Sequence, residues 1–462
     1  MTLERNINSD QLDFVANLSA RLTCNDIPAP TLHAAKRFLA DTAAVTIAGV
    51  ASPSTEGIIA AARLWDGSGP KQGYAFGTPD IKLSPANTAF VNGYKAHCLE
   101  WDGLHEGGVA IAFCTPFAAI AAECQQRDVS GDDFLAAFTL SAELFILLGL
   151  GSGSTARFFR PSAGGTITAA LAVARCRNFS PEKTKQTLGL AYSMLSGTMQ
   201  SHWEGTTTLA MQVGAAARNA IYAADLAENG IAAPVDIFSG KFGFFSIVEE
   251  SGAFDDILAE LGVNWRMPEV AFKPYPCGRA THGVLTILRE LKVKSGLDEN
   301  TITKARVLVP PLLSTLVNRP LKEKMSPGYA RLCLPFIFGK FILNGDIDPR
   351  TFSDPVQPTD DEKRLARLLE IDVEPNRHPK ELFPITLTIT RGNGGKDEFV
   401  CNAPWGTPEN PFTDTDLRDK IERCLEIGDL PVSARIFEEV FFDIENEKNV
   451  RDALERITDK GK

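Results

Sequence analysis

Apolar residues recur at helical rather than alternating spacing through most of the first 260 residues of the chain. Ala and Gly lie among them on several faces of each segment, which allows neighbouring helices to approach closely. Ser180-Pro181 predicts a helix start, and Asn229-Gly230 predicts a helix end. This part of the chain is therefore predicted to form a buried helical bundle. The segments with helical spacing are 28–50, 115–127, 131–150, 164–180, 180–199 and 208–230.

The pattern changes near residue 265, where strands begin to alternate with helices. The predicted elements are a strand at 269–276, a helix at 281–296, a strand at 302–311 and a hairpin of 384–392 with 396–403. Helical spacing returns after residue 405. The fold class is therefore mainly α with an α+β second domain. We expect a large all-helical domain from 1–265 and 405–462, with a smaller α+β lid domain, 266–404, inserted in it; the cleft between them is the expected ligand site.

Charge and cysteine usage exclude several classes of partner. A net charge of −11 and a pI near 5.2 argue against nucleic acid as a partner, because phosphate binding needs a basic surface.

The N-terminus has no signal-peptide core, and no window approaches eighteen consecutive apolar residues, so neither export nor a membrane span is expected. Nine cysteines are scattered singly without a CxxC pair, which favours reduced thiols in the cytoplasm.

The stretch HCLEWDGLHE, residues 97–106, concentrates ionisable side chains. His97 and Glu100 are three residues apart and would share one face of a helix, and Asp102 and His105 would follow in the next turn. Such a set is compatible with a metal site, with general acid/base chemistry, or with an ordinary polar helix end. HExxH is absent, and the residues alone leave the three alternatives open.

A second group of candidates lies in FKPYPCGRATH, residues 272–282. Two prolines stiffen the backbone around Lys273 and Tyr275, and Arg279 and His282 follow. A lysine beside aromatic rings in a cleft can neutralise a carboxylate or stabilise an enolate-like charge. A surface strand with a rigid turn is the alternative interpretation.

Four segments together resemble the MmgE/PrpD family, which includes 2-methylcitrate dehydratase and cis-aconitate decarboxylase. They are ANTAFVNGYKAHCLEWDGLHEGG, KFGFF, FKPYPCGRATHGV and GTPENPFTDTDLRDKI, and they occur in the family's order. The resemblance implies a helical domain plus a lid domain, a homodimer, and no metal or organic cofactor. It also implies a small carboxylate substrate and proton transfer at a carbon next to a carboxylate.

The resemblance assigns catalytic positions to Lys273, His97, Glu100, Asp102 and His105. The sequence also departs from the family, because the acidic Asp-x-Asp-Asp-Thr segment reads Glu-Trp-Asp-Gly-Leu at 100–104 and several family histidines and a lysine are replaced. The changed surroundings suggest a less charged pocket and a smaller or less charged substrate, such as a monocarboxylate or dicarboxylate. Candidate substrate-binding residues are Lys95, Tyr275, Arg279, His282, Arg160, Trp101, His202 and Trp203.

Three functional hypotheses follow. The first is a cofactor-independent lyase, either a dehydratase or a decarboxylase, in which Lys273 holds the carboxylate or enolate and His97, Glu100 or Asp102 handles the proton. The second is an epimerase or isomerase of a small dicarboxylate, which needs two opposed acid/base groups. The third is a non-catalytic homologue that binds a carboxylate.

Overall fold

The computed structural model describes residues 11–67, 73–153, 157–249, 254–295 and 298–458. It confirms a mainly helical protein with a smaller α+β part. The first helices are α1 Gln11–Arg21, α2 Ala29–Ala48, α3 Thr55–Trp65, α4 Pro85–His97, α5 Cys114–Glu123, α6 Gly131–Gly151, α7 Arg160–Cys176, α8 Pro181–Ser193, α9 Gln200–Glu204, α10 Thr208–Glu228, α11 Phe244–Ile247 and α12 Phe254–Leu258. The others are α13 His282–Ser295, α14 Pro311–Val317, α15 Pro327–Arg331, α16 Leu334–Asn344, α17 Asp360–Ala366, α18 Asp414–Ile427, α19 Ala434–Phe442 and α20 Val450–Thr458.

Two small sheets accompany the helices in the described part of the chain. Their strands are β1 Gly73–Ala75, β2 Thr78–Leu83, β3 Ile302–Val309, β4 Leu369–Val373, β5 Ile385–Arg391 and β6 Lys396–Cys401. β1 and β2 form an antiparallel hairpin. The larger sheet has the order β4-β3-β5-β6, in which β3 and β4 run parallel and the other neighbours run antiparallel. The predicted strand in 302–311 and the predicted hairpin are confirmed.

The buried apolar side chains form two large cores. One core draws on residues 12–272 and 412–457, so both ends of the chain contribute to the helical bundle. The other lies around the larger sheet, with residues 275–401 and Leu104. The chain passes from one core to the other between Phe272 and Tyr275, which is where Lys273 lies.

Local signals at the helix ends act as predicted. Ser180 caps α8, since its hydroxyl accepts from the backbone N–H of Lys183. Asn229 ends α10, and Gly230 follows with φ +80°. The strand predicted at 269–276 is wrong: the short 3₁₀ turn Met267–Glu269 ends as the segment begins, and the segment itself forms a single bridge from Ala271 to Leu104. Prolines within it lack the N–H that a longer ladder requires.

Among the described residues, α6 alone has the length and apolarity of a membrane span, and 94% of its apolar window is buried inside the protein. A bent pair, Ala29–Ala51 with Thr55–Trp65, passes the same test only when both parts are joined. The sequence analysis predicted α6 as a helix but did not flag it as a candidate span, because polar side chains such as Glu143 interrupt its run of apolar residues. Buried core helices of globular proteins also meet these criteria.

The helix that carries the first motif, α4, packs closely against α10. A Cβ atom on Gly93 would lie 2.8 Å from the Cα of Gly214, and one on Gly214 would lie 2.3 Å from the carbonyl oxygen of Phe90. Glycine at both positions lets the two backbones approach. This contact fixes the C-terminal end of α4, where His97 lies.

We expect Gly214→Ala to lower the free energy of unfolding by about 1–3 kcal/mol, because the added methyl group would clash with the backbone carbonyl oxygen of Phe90 in the neighbouring helix. Chemical denaturation would measure the change. Gly57→Ala on α3 is the matched control, since a Cβ there meets nothing within 4 Å. The control should be neutral or stabilising, as expected for Gly to Ala in a helix. Equal stability of both variants would contradict the close helix contact.

Candidate active site

The first motif begins at the end of α4 and continues into a tight turn. α4 ends at His97, so Glu100 lies beyond the helix rather than on its face. The turn gives Glu100 a left-handed backbone with φ +54°, which is strained for a residue with a side chain. Its carboxylate nevertheless lies 3.4 Å from His97 Nε2. On the other side of the ring, His97 Nδ1 donates to Asp102 Oδ2 at 2.9 Å.

The second motif reaches the first through backbone pairing between distant segments. Leu104 and Ala271 exchange both of their N–H to C=O bonds, at 3.0 and 2.9 Å. The indole N–H of Trp101 donates to the carbonyl oxygen of Pro274 at 3.1 Å. These contacts hold the segment on either side of Lys273 against the turn that follows α4.

Lys273 completes a buried group of four ionisable side chains. Its Nζ lies 3.2 Å from Glu100 Oε2 and 3.7 Å from Asp102 Oδ1. His97, Asp102 and Lys273 are each at most 1% exposed, and the Glu100 side chain is 12% exposed. We call these four residues the quartet. Two carboxylates and two basic groups in one buried cluster give a set that can hold charge and move a proton.

The charges of the quartet stabilise one another. Burial alone would lower the pKa of His97, but Asp102 and Glu100 outweigh it and raise that pKa to about 10. Burial would raise the pKa of Glu100, yet Lys273 and His97 hold it below its usual range. The pKa of Lys273 is raised because Glu100 and Asp102 overcome its burial. At neutral pH the quartet therefore contains an imidazolium and an ammonium.

This arrangement predicts a loss of stability at alkaline pH. The folded-state pKa of His97, about 10, lies above its unfolded value near 6.5, so its contribution is complete below pH 6.5 and disappears as the pH rises through 10. We expect the free energy of unfolding to fall between pH 7 and 10. Denaturation of the unmodified protein and of His97→Gln at both pH values would measure the difference. An equal decline in the two proteins would contradict an imidazolium at this position.

A cavity of about 110 Å³ opens onto the quartet through His97, Glu100 and Lys273. Most of its wall is apolar, and side chains from both large cores contribute to it. The apolar lining includes Leu104, Val109, Ile111, Phe158, Phe159, Met199, Leu209, Leu316, Val317, Leu332 and Leu382. A small site with an apolar wall and few polar groups is typical of an enzyme pocket. In such surroundings charges interact more strongly than in water.

Three other predicted residues line this cavity. Arg160 is paired with Glu249 at 2.8 Å, and Arg279 with Glu106 at 2.8 Å, so the charge of each arginine has a protein partner. Burial and Arg319 lower the pKa of His202 to about 4, which keeps its imidazole neutral at neutral pH. The cavity therefore has a neutral histidine on one wall and a cationic one on another.

Two basic residues proposed from the first motif lie outside the cavity lining. His105 is buried, with Nε2 donating to Glu269 at 3.2 Å and Nδ1 accepting the N–H of Gly108 at 3.0 Å. Lys95 is fully buried and donates to the carbonyl oxygen of Phe76. Burial lowers the pKa of Lys95 to about 7, which permits a neutral amine there. Both side chains are therefore bonded to other parts of the protein and do not face the cavity.

The aromatic candidates and the last histidine also lie away from the cavity wall. Trp101 is buried behind the quartet, and its carbonyl oxygen accepts from Lys420 at 2.9 Å. The ring of Tyr275 packs edge-on against His282 at 5.9 Å. Burial, Arg279 and Lys273 hold the pKa of His282 well below its usual value. Trp203 is 70% exposed and lines an adjoining groove together with His202.

Sequence reasoning missed two buried arginines near the site. Arg319 contacts His202, with its Nη2 3.3 Å from the ring Nδ1. Arg331 lies in a second cavity that adjoins the quartet. Neither residue belongs to a motif with a recognisable spacing, and Arg331 precedes an apolar run that reads as ordinary core. The family lysine that the resemblance shows to be replaced corresponds to Leu209 in this sequence, and Leu209 lines the cavity.

One group in the described residues has the composition of a metal site. His97, Asp102 and Cys114 each offer one ligand atom, and these atoms lie within 4.8 Å of one another. Cys114 would have to lose its proton on binding a metal, and burial, which raises the pKa of its thiol well above the usual value, makes that loss more costly. The Lys273 ammonium, 3.7 Å from Asp102, would also repel a cation. The same residues fit acid/base chemistry better, because Asp102 already accepts from His97.

Comparison with known proteins identifies relatives along most of the chain. A family model described as the MmgE/PrpD N-terminal domain matches residues 14–256, and one described as the C-terminal domain matches residues 275–439. Cis-aconitate decarboxylase of Homo sapiens is 26% identical over 367 residues, covering 75% of this chain and 73% of that protein. The corresponding protein of Mus musculus is 24% identical over 416 residues, covering 86% and 83%.

A cis-aconitate decarboxylase-like protein of Aspergillus oryzae is 25% identical over 451 residues, covering 91% of this chain and 90% of that protein. The two matched ranges cover most of both cores and contain His97, Glu100 and Asp102, while Lys273 lies in the short stretch between them. The chain belongs to the MmgE/PrpD family.

Proposed function

We propose that this protein is a lyase that decarboxylates a small carboxylic acid, with proton transfer at a carbon next to a second carboxylate. The buried quartet at the wall of a largely apolar cavity carries this proposal, because it supplies an acid and a cation where an unsaturated acid would fit. Two relatives named cis-aconitate decarboxylase and a third named decarboxylase-like support the same reaction class. The cavity is lined mainly by apolar side chains, which favours an acid smaller or less charged than a tricarboxylate.

The chemistry follows from the charges in the quartet. When the bond to the departing carboxylate breaks, carbon dioxide leaves and the electron pair delocalises onto the neighbouring carboxylate. The Lys273 ammonium would stabilise that enediolate charge. The His97 imidazolium would then donate its Nε2 proton to carbon, while Asp102 keeps the ring oriented through Nδ1. Solvent would return the proton to His97 and complete the cycle.

Incubation of the purified protein with a panel of acids tests the proposal. The panel would contain cis-aconitate, smaller unsaturated dicarboxylates, hydroxy acids and monocarboxylates. Carbon dioxide release, measured with product mass, distinguishes decarboxylation from dehydration, since the latter removes water and retains all carbons. Release that requires Lys273 and His97 would support the proposal. Binding of the acids without any turnover would instead favour a non-catalytic carboxylate-binding homologue.

An epimerase of a small dicarboxylate is the second candidate, and one observation favours it. A cationic His97 and a neutral His202 both line the cavity, so one could donate a proton while the other accepts one. Deuterium uptake from D₂O at the α-carbon, without loss of carbon dioxide or water, would identify this reaction. Under either reaction, a homodimer and a cytoplasmic location stay predictions from the sequence.

A further inference from the structure

A second cavity, of about 30 Å³, adjoins the quartet. His97, Glu100, Leu209 and Leu332 line both this cavity and the larger one. Its wall is more polar than that of the larger cavity, with side chains such as Ser52, Tyr94, Cys98 and Thr206. We call it the Arg331 cavity, after the basic residue that lines it.

Arg331 is buried there with no carboxylate in contact with its guanidinium among the described residues. The residue is 1% exposed, and the Glu100 carboxylate, which lines the same cavity, acts on its guanidinium from more than 4 Å away. Its Nε and Nη2 atoms are buried and have no hydrogen-bond partner in the described part of the chain. Arg160 and Arg279, by contrast, each have a carboxylate at 2.8 Å. A buried charge without a partner is costly, so a ligand that supplies the missing anion would be bound strongly.

The backbone around Arg331 is tightly held. The Ser326 hydroxyl, at the start of α15, donates to the carbonyl oxygen of Gly205 at 2.6 Å. A Cβ on Gly205 would lie 2.5 Å from the backbone of Tyr329, so the two segments are in direct contact. The carbonyl oxygen of Arg331 accepts the N–H of Gly278 at 3.1 Å. That last bond ties Arg331 to the segment that carries Lys273, so the two cations have fixed relative positions.

We propose that Arg331 binds a carboxylate of the substrate in this cavity, at the opposite end of the molecule from the carboxylate next to the reacting carbon, which Lys273 binds. The inference rests on the proposed function for the identity of the reacting end. His97 and Glu100 line both cavities, so a molecule bound at both ends would place its middle carbons beside them. The planar guanidinium matches a carboxylate with two parallel hydrogen bonds. Arg331 is thus a residue that selects acids with two carboxylates over acids with one.

A purely structural role for Arg331 predicts a different outcome. Its guanidinium lies 4.4 Å from the centre of the Phe352 ring, a distance typical of a cation–π contact. If Arg331 served only to make that contact, then removing the ring would change acid binding as much as removing the charge. Phe352→Leu therefore serves as the matched control, because Phe352 lines neither cavity.

Calorimetric titration of the full chain with unreactive acids tests the proposal. Glutarate and tricarballylate carry two and three carboxylates, and butyrate carries one. We expect Arg331→Met to weaken glutarate and tricarballylate about 10–100-fold, the loss expected for hydrogen bonds to a charged group, and to leave butyrate unchanged. Arg331→Lys should lose less affinity for these two acids, because lysine retains the positive charge but cannot form the two parallel hydrogen bonds of a guanidinium. Phe352→Leu should bind all three acids as the unmodified protein does.

Several results would overturn the inference. They are unchanged glutarate binding by Arg331→Met, an equal loss for glutarate and butyrate, or no preference of the unmodified protein for glutarate over butyrate. If Arg331→Met does not fold, Arg331→Lys provides the test. Unchanged glutarate binding by Arg331→Lys would exclude the two parallel hydrogen bonds from Arg331 to a carboxylate. Selective binding without turnover of any acid would reject the proposed function and retain this subsite. Turnover that is unchanged in Arg331→Met would reject this subsite and retain the proposed function.

Discussion

Lys273→Met is expected to lower kcat by about 10²–10³-fold, the usual effect of removing one group that stabilises a developing oxyanion. Methionine has a similar length and no charge, so the cavity keeps its shape while the enediolate loses its cation. The side chain is 1% exposed, and it lies 3.2 Å from Glu100, which lines the cavity. Steady-state kinetics with the acid that emerges from the substrate panel would measure the change.

Stability must be separated from chemistry in that experiment. Removing one partner of a buried ion pair leaves the other charge uncompensated and destabilises the fold. The double variant Lys273→Met with Glu100→Gln removes both charges of the 3.2 Å pair. It should recover stability relative to Lys273→Met while staying inactive. Full activity in the stable double variant would remove Lys273 from the mechanism.

His97→Gln is expected to lower kcat by about 10²–10⁴-fold, which is the contribution of a positioned general acid. Glutamine keeps a polar group near Asp102 but cannot deliver a proton at neutral pH. Asp102→Asn provides the independent test of how the imidazolium is maintained. Loss of that carboxylate should lower the pKa of His97, so the basic limb of the kcat/KM profile should move to lower pH. An unchanged limb would indicate that another group supplies the proton.

The second histidine of the same motif provides a matched comparison. His105 lies outside the cavity lining, between Glu269 and the Gly108 N–H. If the placement is correct, His105→Gln should retain most of the activity that His97→Gln loses. Circular dichroism and thermal unfolding of both variants would show that each one folds. Equal losses of kcat in two folded variants would return His105 to the catalytic group that the sequence predicted.

Local patterns were sufficient for much of the fold. Helical spacing and end signals located the bundle helices, because burying one face of a helix imposes a period that is visible in the sequence. The hairpin of β5 and β6 was equally visible from alternating residues around a glycine-rich turn. The parallel strand β4 and the hairpin of β1 and β2 were not predicted. Their short segments carry little periodic signal, and their pairing depends on neighbours distant in sequence.

The sequence by itself determined the family, the helical and α+β parts, and the two motifs in which His97, Asp102 and Lys273 lie. Only the tertiary structure decided which of the motif residues meet. The pairing of Leu104 with Ala271 brings Lys273 to His97, across more than 170 residues of chain, while turning His105 toward Glu269. It also decided that Arg331, which no motif marks, lies beside the quartet. Proximity of this kind depends on backbone pairing and close packing between distant segments, and local spacing does not encode it.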